Sequence, residues 1–405
     1  AIPSKSFAHR QLICAALSKD STEILCRVIS EDVKTTMNCL ETLGADIKYK
    51  ENTIFVNGIK SLPKKALLDC GESGSTYRFM VPLAAALGVE ANFLLKGRLA
   101  ERPMTTLWNT LEDHGIKIDG KGSRQTILNG SLSSGLFKIE GNVSSQFISG
   151  LLMSLPFTAG ENIVDVMGEI ESESYIKITL EVLEDFGIDI KREEGRFIIR
   201  DKQSYISPGS IVTEGDWSNS SFWFCGAAAS GTELTCLGLN SASSQGDRRV
   251  IDILTKMGCI IEEKEGAFTL RPHKLNAASV DAMDIPDLIP ALALAACSAE
   301  GSSEIFNAHR LRMKESDRLF SISDTLSRLG ADIYIEANSM HINGKKRLTG
   351  GVVHSHGDHR IVMMAAMSSL ISSNAVVIEG AEAVNKSYPG FFEDLASLGV
   401  EIRKE

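Results

Sequence analysis

The feature that most constrains the fold of this chain is a short pattern that occurs six times along it. In each copy a leucine is followed four positions later by a glycine, and a stretch of alternating polar and apolar residues comes next. The six glycines are Gly44, Gly115, Gly187, Gly258, Gly330 and Gly399, and they are 71, 72, 71, 72 and 69 residues apart. We therefore interpret the chain as six copies of one unit of about 70 residues, which is longer than the common solenoid repeats.

Each copy of the repeat has the pattern of a helix, a strand, a second helix, a glycine stop and a strand pair. In the first copy the apolar spacing predicts helices over 6–17 and 31–43 and a strand over 22–25. Gly44 would end the second helix in the left-handed conformation that glycine adopts easily. The stretch 47–58 then alternates through a polar turn, which predicts a hairpin.

The length of 405 residues is too great for one ordinary core and suggests two or three domains, of which six copies favour two domains of three. We predict an N-terminal domain over 5–244 and a C-terminal domain over 245–405 that also includes residues 1–4. The chain opens on Ala1 rather than Met, and the sixth copy stops after one strand. We therefore expect that N-terminal residues were removed, and that the segment before Ala1 supplies the missing strand.

Composition excludes several classes of function. A net charge of -10 and a pI near 5.4 argue against a general nucleic-acid surface. The longest apolar run is too short to span a bilayer, and the start of the chain has no signal-peptide pattern. The eight cysteines are scattered without a C-x-x-C pair, which favours reduced, buried thiols over a disulfide framework or a metal site. We expect a cytoplasmic protein without nucleic-acid or membrane partners.

Polar residues recur at the predicted helix starts. The first helices begin near residues of the types found at N-caps, namely Ser6, Ser75, Ser145, Ser218, Asp287 and Asp358. Capping does not explain the cations Arg102, Lys314, Arg318, Arg360 and Lys386, because a cation at the positive end of a helix costs about 0.3 to 1 kcal/mol. With Lys5 and Arg10 they predict a site for a polyanion such as phosphates and carboxylates. The alternative is a set of separate surface ion pairs.

Other motifs carry weaker signals. The stretch 71–76 leads into a helix as phosphate loops do but lacks the Walker lysine, so it predicts an anion-binding turn rather than an ATP site. His354, His356 and His359 are close in sequence, but with no cysteine near them a metal site is disfavoured. The remaining acid–base set is Glu315, Asp287 and Lys386, and its alternative is a structural ion-pair network.

Ten short sequence segments, spread over essentially the whole chain, resemble those of a known family. They are PSKSFAHR, SGSTYRF, ERPM, SSQFISGLLM, SYIKITL, EGDWSNSSF, IPDL, RMKESDR, GDHRIVM and NKSYPGFF. In that order they resemble the 5-enolpyruvylshikimate-3-phosphate synthase family of enolpyruvyl transferases. The resemblance implies an α/β fold of two similar domains, each with three βαβαββ repeats packed as an inside-out α/β barrel, with a cleft between them. It also implies transfer of the enolpyruvyl group of phosphoenolpyruvate to the 5-hydroxyl of shikimate 3-phosphate.

The resemblance also implies a role for individual residues, with no metal or cofactor and a monomeric protein. Shikimate 3-phosphate would be bound by Lys5, Ser6, Arg10, Ser144, Ser145, Gln146, Ser172, Tyr175, Asp287 and Lys314. Phosphoenolpyruvate would be bound by Lys5, Gly74, Arg102, Gln146, Arg318, Arg360 and Lys386. The catalytic residues would be Asp287, Glu315, Lys5 and Lys386. Among them, Asp287 would accept the hydroxyl proton, and Glu315 with Lys386 would handle the proton of the methylene carbon.

Three positions depart from the usual pattern of that family: Glu72 and Arg310 stand at frequent asparagines, and Glu173 replaces a basic or neutral residue. Sensitivity to glyphosate would depend on the surroundings of Gly74 and Phe79. Three other readings remain. A UDP-N-acetylglucosamine enolpyruvyl transferase typically has a loop cysteine, which 96–102 lacks. An RNA 3'-phosphate cyclase would have a basic surface, and an inactive binding protein would not need both Glu315 and Asp287.

Overall fold

The computed structural model describes residues 1–404 and divides them into two compact units. The N-terminal unit is formed by 3–213, and the C-terminal unit is formed by 1–2 together with 214–404. Within the described residues, no helix combines the length and the apolar character needed to cross a bilayer.

The N-terminal unit alternates helices with pairs of strands. Its helices are α1 (Lys5–Leu17), α2 (Glu31–Thr42), α3 (Gly74–Leu87), α4 (Thr105–Glu112), α5 (Ser145–Ser154) and α6 (Glu173–Asp185), with short 3-10 helices at Leu99–Glu101 and Leu155–Phe157. Its strands are β1 (Thr22–Leu25), β2 (Asp46–Lys50), β3 (Thr53–Asn57), β4 (Lys65–Gly71), β5 (Glu90–Leu95), β6 (Ile116–Asp119), β7 (Gln125–Gly130), β8 (Leu136–Glu140), β9 (Asn162–Met167), β10 (Lys191–Glu193), β11 (Arg196–Ile199) and β12 (Ser210–Val212).

Three four-stranded sheets repeat one topology in this unit. Their strand orders are β4-β5-β7-β6, β10-β11-β9-β8 and β12-β1-β3-β2. In each sheet a parallel pair is joined to an antiparallel hairpin, as in β4 with β5 and then β7 with β6. The parallel partner of β1 is β12, the last strand of the unit, so the first repeat is completed by the end of the unit's chain.

The core of the unit is formed by the first helix of each repeat. In α1, α3 and α5 apolar residues occur on every side and almost all residues are buried. The second helices α2 and α6 bury only one face, and the strands alternate buried and exposed residues. A helix that is apolar all round has to be enclosed by protein, so α1, α3 and α5 lie inside and the sheets lie outside.

The C-terminal unit continues the same alternation. Its helices are α7 (Trp217–Ser230), α8 (Val250–Lys256), α9 (Ile289–Ala296), α10 (Arg318–Arg328), α11 (His359–Ser368) and α12 (Phe391–Ser397), with 3-10 helices at Gly246–Arg249, His309–Met313, Ser369–Ile371 and Ala381–Lys386. Its strands are β13 (Leu234–Leu237), β14 (Ile260–Lys264), β15 (Ala267–Arg271), β16 (Ser279–Asp281), β17 (Ser302–Phe306), β18 (Asp332–Glu336), β19 (Ser339–Asn343), β20 (Gly351–His354) and β21 (Val376–Glu379). The sheets have the orders β13-β15-β14, β16-β17-β19-β18 and β20-β21.

The predicted α/β fold of repeated units is confirmed, and among residues 1–404 the strands form several small sheets and no closed barrel of strands. All six glycines of the repeat have positive φ, between 73° at Gly187 and 113° at Gly258. The repeated leucine has a structural reason as well, because its side chain is buried in all six copies. The amide after the glycine donates to the leucine carbonyl, as from Ala331 to Leu326 at 2.9 Å, and this closes the helix end.

Three details differ from the expectations. The units divide between Thr213 and Glu214 rather than at 244/245, because α7 packs against α9 and α11 of the C-terminal unit. At the N-terminus only residues 1–2 join the C-terminal unit, where the carbonyl of Ile2 accepts from the amide of Asp216 at 2.8 Å. The helix caps also lie earlier than the predicted starts at Ser6, Ser75 and Ser218, namely at Ser4, Ser73 and Asp216.

Candidate active site

In the N-terminal unit, Arg10 lies in α1 with only 2% of its surface exposed. Its Nε donates to Thr179 Oγ1 at 2.7 Å, and its Nη atoms donate to the carbonyls of Ser6 at 2.7 Å and Tyr175 at 3.1 Å. Among residues 1–404 no carboxylate lies within ion-pair distance of this guanidinium. Burial lowers the pKa of Arg10 to about 10, so it stays a cation at neutral pH. The structure thus brings Arg10, Ser6 and Tyr175 together around a positive charge held by neutral oxygens.

The start of α5 brings a second group of predicted residues into contact with α3. Ser144 is the N-cap, and its hydroxyl accepts from the amide of Gln146 at 3.3 Å. The Gln146 side chain donates to Ser75 Oγ at 2.8 Å and accepts from Arg78 Nη1 at 2.7 Å. Ser145 is buried in the first turn of the helix. The side-chain amide of Gln146 is therefore held in one orientation by Ser75 on one side and Arg78 on the other.

Two more residues predicted from the sequence begin helices in this unit. Lys5 is the first residue of α1, and its Nζ forms a 2.8 Å ion pair with Asp32 in the first turn of α2. Ser172 precedes α6 in a left-handed conformation with φ of 57°, which is uncommon for a residue other than glycine. Such a conformation is held only where the surrounding structure imposes it, and it is common at ligand sites.

Gly74 and Arg102 are in close contact. A Cβ placed on Gly74 would lie 2.6 Å from Arg102 Nη1 and 3.1 Å from its Cζ. The guanidinium thus packs directly on the backbone of the first residue of α3. Only glycine permits this approach without displacing the arginine side chain.

In the C-terminal unit, the site is organised around Arg318 at the start of α10, whose side chain is 1% exposed. Its Nη1 donates to Asp287 Oδ1 at 2.5 Å, and its Nη2 donates to Glu315 Oε2 at 2.7 Å. Its Nε donates to Asp358 Oδ2 at 2.8 Å. Burial opposes the charge of Arg318, but the three carboxylates raise its pKa above the usual value. One arginine therefore holds both predicted acid–base carboxylates.

Asp287 lies among further cations. Besides Arg318, its Oδ1 lies 3.4 Å from Arg360 Nε and 3.8 Å from Lys314 Nζ. Burial alone would raise the pKa of Asp287, but Arg360, Lys314 and Arg318 together hold it well below its usual range. Burial lowers the pKa of Lys314 to about 8, because the pull of Asp287 offsets only part of the desolvation. Asp287 is thus ionised at neutral pH, and Lys314 is mostly charged there but loses its charge above about pH 8.

The last two predicted residues follow along the chain. Arg360 lies in the first turn of α11, where the N-cap Asp358 accepts from its amide at 3.0 Å, and its Nη1 donates to the Asp287 carbonyl at 3.2 Å. Lys386 is buried at the end of the 3-10 helix Ala381–Lys386, which packs against α11. The structure therefore gathers Asp287, Lys314, Glu315, Arg318 and Arg360 in direct contact, with Lys386 on a neighbouring element.

Comparisons with known proteins identify the family of the chain that has this fold and these residue clusters. The model of the family EPSP synthase (3-phosphoshikimate 1-carboxyvinyltransferase) matches residues 1–395. The chain belongs to the EPSP synthase family. A 3-phosphoshikimate 1-carboxyvinyltransferase of Clostridium perfringens (strain 13 / Type A) is 42% identical over 408 residues, which cover 100% of this chain and 96% of that one.

Solved structures of the family agree with the fold. An EPSP synthase from Acinetobacter baumannii superposes with a TM-score of 0.80 at 25% identity, covering 98% of this chain and 94% of that one. The enolpyruvyl transferase NikO from Streptomyces tendae has a TM-score of 0.79 at 17% identity, covering 99% and 94%, and supports the fold alone. The alternatives of a UDP-sugar enolpyruvyl transferase and an RNA cyclase are not favoured by these matches.

Three residues next to the candidate site of this EPSP synthase family member were not predicted from the sequence, namely Asp32, Arg78 and Asp247. Asp32 pairs with Lys5, and Arg78 orients Gln146. Asp247 lies buried in the 3-10 helix Gly246–Arg249 and accepts from the Ser218 hydroxyl. Burial and the nearby charge of Asp287 raise the pKa of Asp247 to about 7. The only available signal for Asp32 and Asp247 was their position at the starts of second helices.

The departures from the family pattern have different surroundings. The Glu72 side chain lies over Gly97, where a Cβ would collide with it. Glu173 forms a half-exposed 2.6 Å ion pair with Arg192, and Arg310 is buried in the 3-10 helix His309–Met313. Phe79 is buried in α3, where the Arg10 guanidinium stacks 5.0 Å from its ring centre. Phe79 is thus linked to the residue that we predict to bind shikimate 3-phosphate.

The remaining candidate groups are accounted for. All eight cysteines are buried and free, as predicted, and burial raises the pKa of the Cys14 and Cys225 thiols. The histidines near 354–359 each contact a carboxylate: His354 with Glu379, His356 with Asp324 and His359 with Asp358. Among residues 1–404 no group of three or more metal-ligating side chains is arranged around a common point.

Proposed function

We propose that this chain transfers the enolpyruvyl group of phosphoenolpyruvate to the 5-hydroxyl of shikimate 3-phosphate, which yields 5-enolpyruvylshikimate 3-phosphate and phosphate. The observation that carries the proposal is the cluster around Arg318, where one buried guanidinium holds the two acid–base candidates Asp287 and Glu315. The family match over residues 1–395 supports the same reaction.

In the N-terminal unit, the proposal assigns shikimate 3-phosphate to the group around Arg10. A buried cation that is bound only by neutral oxygens gains most from an anionic ligand, and charge-assisted hydrogen bonds to phosphate are the stronger kind. Ser6, Ser144, Ser145, Gln146, Ser172 and Tyr175 would complete the contacts with the acceptor. Lys5, Gly74, Arg102 and Gln146 would contact phosphoenolpyruvate.

In the C-terminal unit, the proposal assigns proton transfer to Asp287, Glu315 and Lys386, and substrate binding to Lys314, Arg318 and Arg360. In the addition step the 5-oxygen bonds to C2 of phosphoenolpyruvate and C3 gains a proton. In the elimination step C3 loses a proton and the bond from C2 to the phosphate oxygen breaks. Cations held in place beforehand stabilise the charged intermediate without reorganisation.

The low pKa of Asp287 has a consequence for this mechanism. A carboxylate held by three cations is a weak base, because its charge is already stabilised. When anionic substrate groups bind Arg360 and Lys314, those cations share their charge with the ligand, so the pKa of Asp287 rises toward the value that proton transfer needs. The order of events would be substrate binding first and activation of the base second.

The test is phosphate release measured with each substrate alone, with both together, and with UDP-N-acetylglucosamine in place of shikimate 3-phosphate. We expect release only with phosphoenolpyruvate and shikimate 3-phosphate together, in the presence of a chelator and without nucleotide. Release with the UDP-sugar instead would reject the proposal. A monomeric state and a cytoplasmic location stay predictions, which size-exclusion chromatography and cell fractionation would check.

A further inference from the structure

His9 is a titratable group that the proposed mechanism does not use. It lies in α1 between the predicted binding residues and is fully buried. Its Nδ1 lies 2.7 Å from Thr36 Oγ1 of α2. Its Nε2 is also buried and has no hydrogen-bond partner among residues 1–404. A buried histidine that uses only one ring nitrogen is costly, so its presence here requires a reason, and the one bond that it makes is to Thr36.

From Thr36 the hydrogen bonds continue to the start of α3. Thr36 Oγ1 lies 2.7 Å from Thr76 Oγ1, which donates to Ser73 Oγ at 2.7 Å. Ser73 is the N-cap of α3, and its hydroxyl also accepts from the Thr76 amide at 3.3 Å. Thr76 Oγ1 also lies 3.4 Å from the carbonyl of Asp32, the ion-pair partner of Lys5. A single chain of side chains therefore links α1, α2 and the N-terminal turn of α3.

The proton directions along this chain follow from the number of protons available. Thr76 has a single hydroxyl proton and two acceptors for it, Ser73 Oγ at 2.7 Å and the Asp32 carbonyl at 3.4 Å. Whichever of them takes the proton, Thr76 accepts from Thr36. Thr36 has then used its own proton and must accept from His9. His9 therefore carries its proton on Nδ1 and leaves Nε2 as a bare acceptor, which is the less costly group to bury unpaired. Hydrogen bonds that all point one way strengthen one another.

The hydrogen-bonded row of side chains from His9 to Ser73 is uncharged at neutral pH. Burial lowers the pKa of His9 to about 3, and the opposing effect of Asp32 is limited by the nearby charges of Lys5 and Arg10. A neutral imidazole orients its hydrogen-bond partner but adds no charge to the site. Its influence on bound anions must therefore pass through the position of the backbone that it holds.

We propose that His9, Thr36, Thr76 and Ser73 form a positioning network that sets the affinity for phosphoenolpyruvate by fixing the N-terminal turn of α3. This turn begins at Gly74, whose backbone is packed on the Arg102 guanidinium. None of the four side chains bonds to a residue of α5 or α6, whose residues we assign to shikimate 3-phosphate. Ser75 in the same turn accepts from the Gln146 side chain of α5 at 2.8 Å, but that bond uses none of the network's hydroxyls. The inference rests on the proposed function, since it uses the assignment of Gly74 and Arg102 to phosphoenolpyruvate.

The first experiment compares Thr76→Val with Thr110→Val. Valine keeps the shape of threonine and removes its hydroxyl. Thr110 is buried in α4 of the same unit and donates to the carbonyls of Thr106 and Lys138, away from the network. We expect Thr76→Val to raise KM for phosphoenolpyruvate about tenfold, with kcat within about threefold and KM for shikimate 3-phosphate unchanged. The Thr110→Val control should leave all three values near those of the wild type.

The second experiment compares His9→Asn with His9→Leu. The asparagine amide can donate from the position of Nδ1, whereas leucine cannot. We expect His9→Asn to retain most of the affinity for phosphoenolpyruvate and His9→Leu to lose it as Thr76→Val does. Hydrogen exchange at the amides of the first turn of α3 should be faster in His9→Leu than in His9→Asn, and this readout does not depend on turnover.

The outcomes separate this inference from the proposed function. If the wild-type protein does not release phosphate from the two substrates together, the proposed function fails and the positioning network fails with it. If the wild type is active but Thr76→Val raises both KM values equally, or if His9→Asn behaves as His9→Leu does, the network is merely structural and the inference is wrong.

Discussion

Two buried arginines, one in each unit, are held in opposite ways. Arg10 is bound by hydroxyl and carbonyl oxygens, and burial lowers its pKa to about 10. Arg318 is bound by the carboxylates of Asp287, Glu315 and Asp358, which raise its pKa. Among the described residues, the buried guanidinium therefore has no carboxylate partner in the N-terminal unit and three carboxylate partners in the C-terminal unit.

The difference separates two uses of a buried cation. Arg10 is removed from water without a counterion, so an anionic ligand would supply the negative charge that the protein does not. Arg318 already has its counterions, and its guanidinium fixes where they lie. To bind phosphoenolpyruvate as well, Arg318 would have to exchange at least one of these carboxylates for the ligand.

The largest effect is expected from Arg318→Met. Removing the guanidinium leaves three carboxylates close together, of which Asp358 is fully buried. The free energy of unfolding should fall by about 3 to 5 kcal/mol in urea titrations. Arg328→Met is the control, because Arg328 lies in the same helix in an exposed pair with Asp324 and should change stability by less than about 1 kcal/mol. Equal losses would mean that the cluster contributes no more than a surface ion pair.

The next effect is expected from Glu315→Gln, which removes one of the proposed acid–base groups while keeping the shape around Arg318. Turnover should fall by a factor on the order of 10² or more, since general acid–base groups contribute at that scale. Binding of shikimate 3-phosphate, measured by calorimetry, should stay close to the wild-type value. Glu336→Gln in β18 is the exposed control. An equal loss of binding would make Glu315 a structural partner of Arg318 and nothing more.

A smaller effect of different kind is expected from Arg10→Met. KM for shikimate 3-phosphate should rise by roughly 10- to 100-fold, because the proposed charge-assisted hydrogen bond to the substrate would be lost. Stability without substrate should hardly change, since Thr179 and Ser149 already bond each other at 2.7 Å. Arg196→Met, in an exposed pair with Asp165, serves as the control. A stability loss as large as that of Arg318→Met would remove the distinction between the two arginines.

The smallest effect concerns pH. Lys314 has a pKa lowered to about 8, so it is charged below that pH and neutral above it. In the proposed function the charged form binds the anionic acceptor, so kcat/KM for shikimate 3-phosphate should fall about tenfold per pH unit above about 8. Lys314→Arg should move this fall to higher pH, because a guanidinium does not titrate in that range. A profile that is the same in both proteins would assign the fall to another group.

The sequence predicted the parts of the molecule that depend on local spacing. The six glycines have the positive φ that the repeat required, and the strand over 22–25 was found at those residues. Of the cations predicted at helix starts, Arg318 and Arg360 lie in the first turns of α10 and α11, whereas Lys386 ends a 3-10 helix. Of the site itself, the grouping of Glu315, Arg318 and Lys314 followed from their positions in one short stretch.

The rest depends on contacts between distant segments. Asp32 pairs with Lys5 only because α1 and α2 pack side by side, and the two are 27 residues apart. The link from His9 through Thr36 to Thr76 crosses three helices and has no sequence pattern, since buried threonines are common. The division at Thr213 depends on the packing of α7, which no local signal states.

The pairing of β12 with β1 has a consequence for synthesis of the protein. Because Ser210–Val212 completes the sheet that Thr22–Leu25 begins, these partners are separated by almost the whole N-terminal unit. A chain emerging from the ribosome would carry β1 with an open edge until that last strand arrives, and open edges invite pairing with other chains. The unit is therefore expected to close late, and a nascent chain stalled before Ser210 should depend on chaperones.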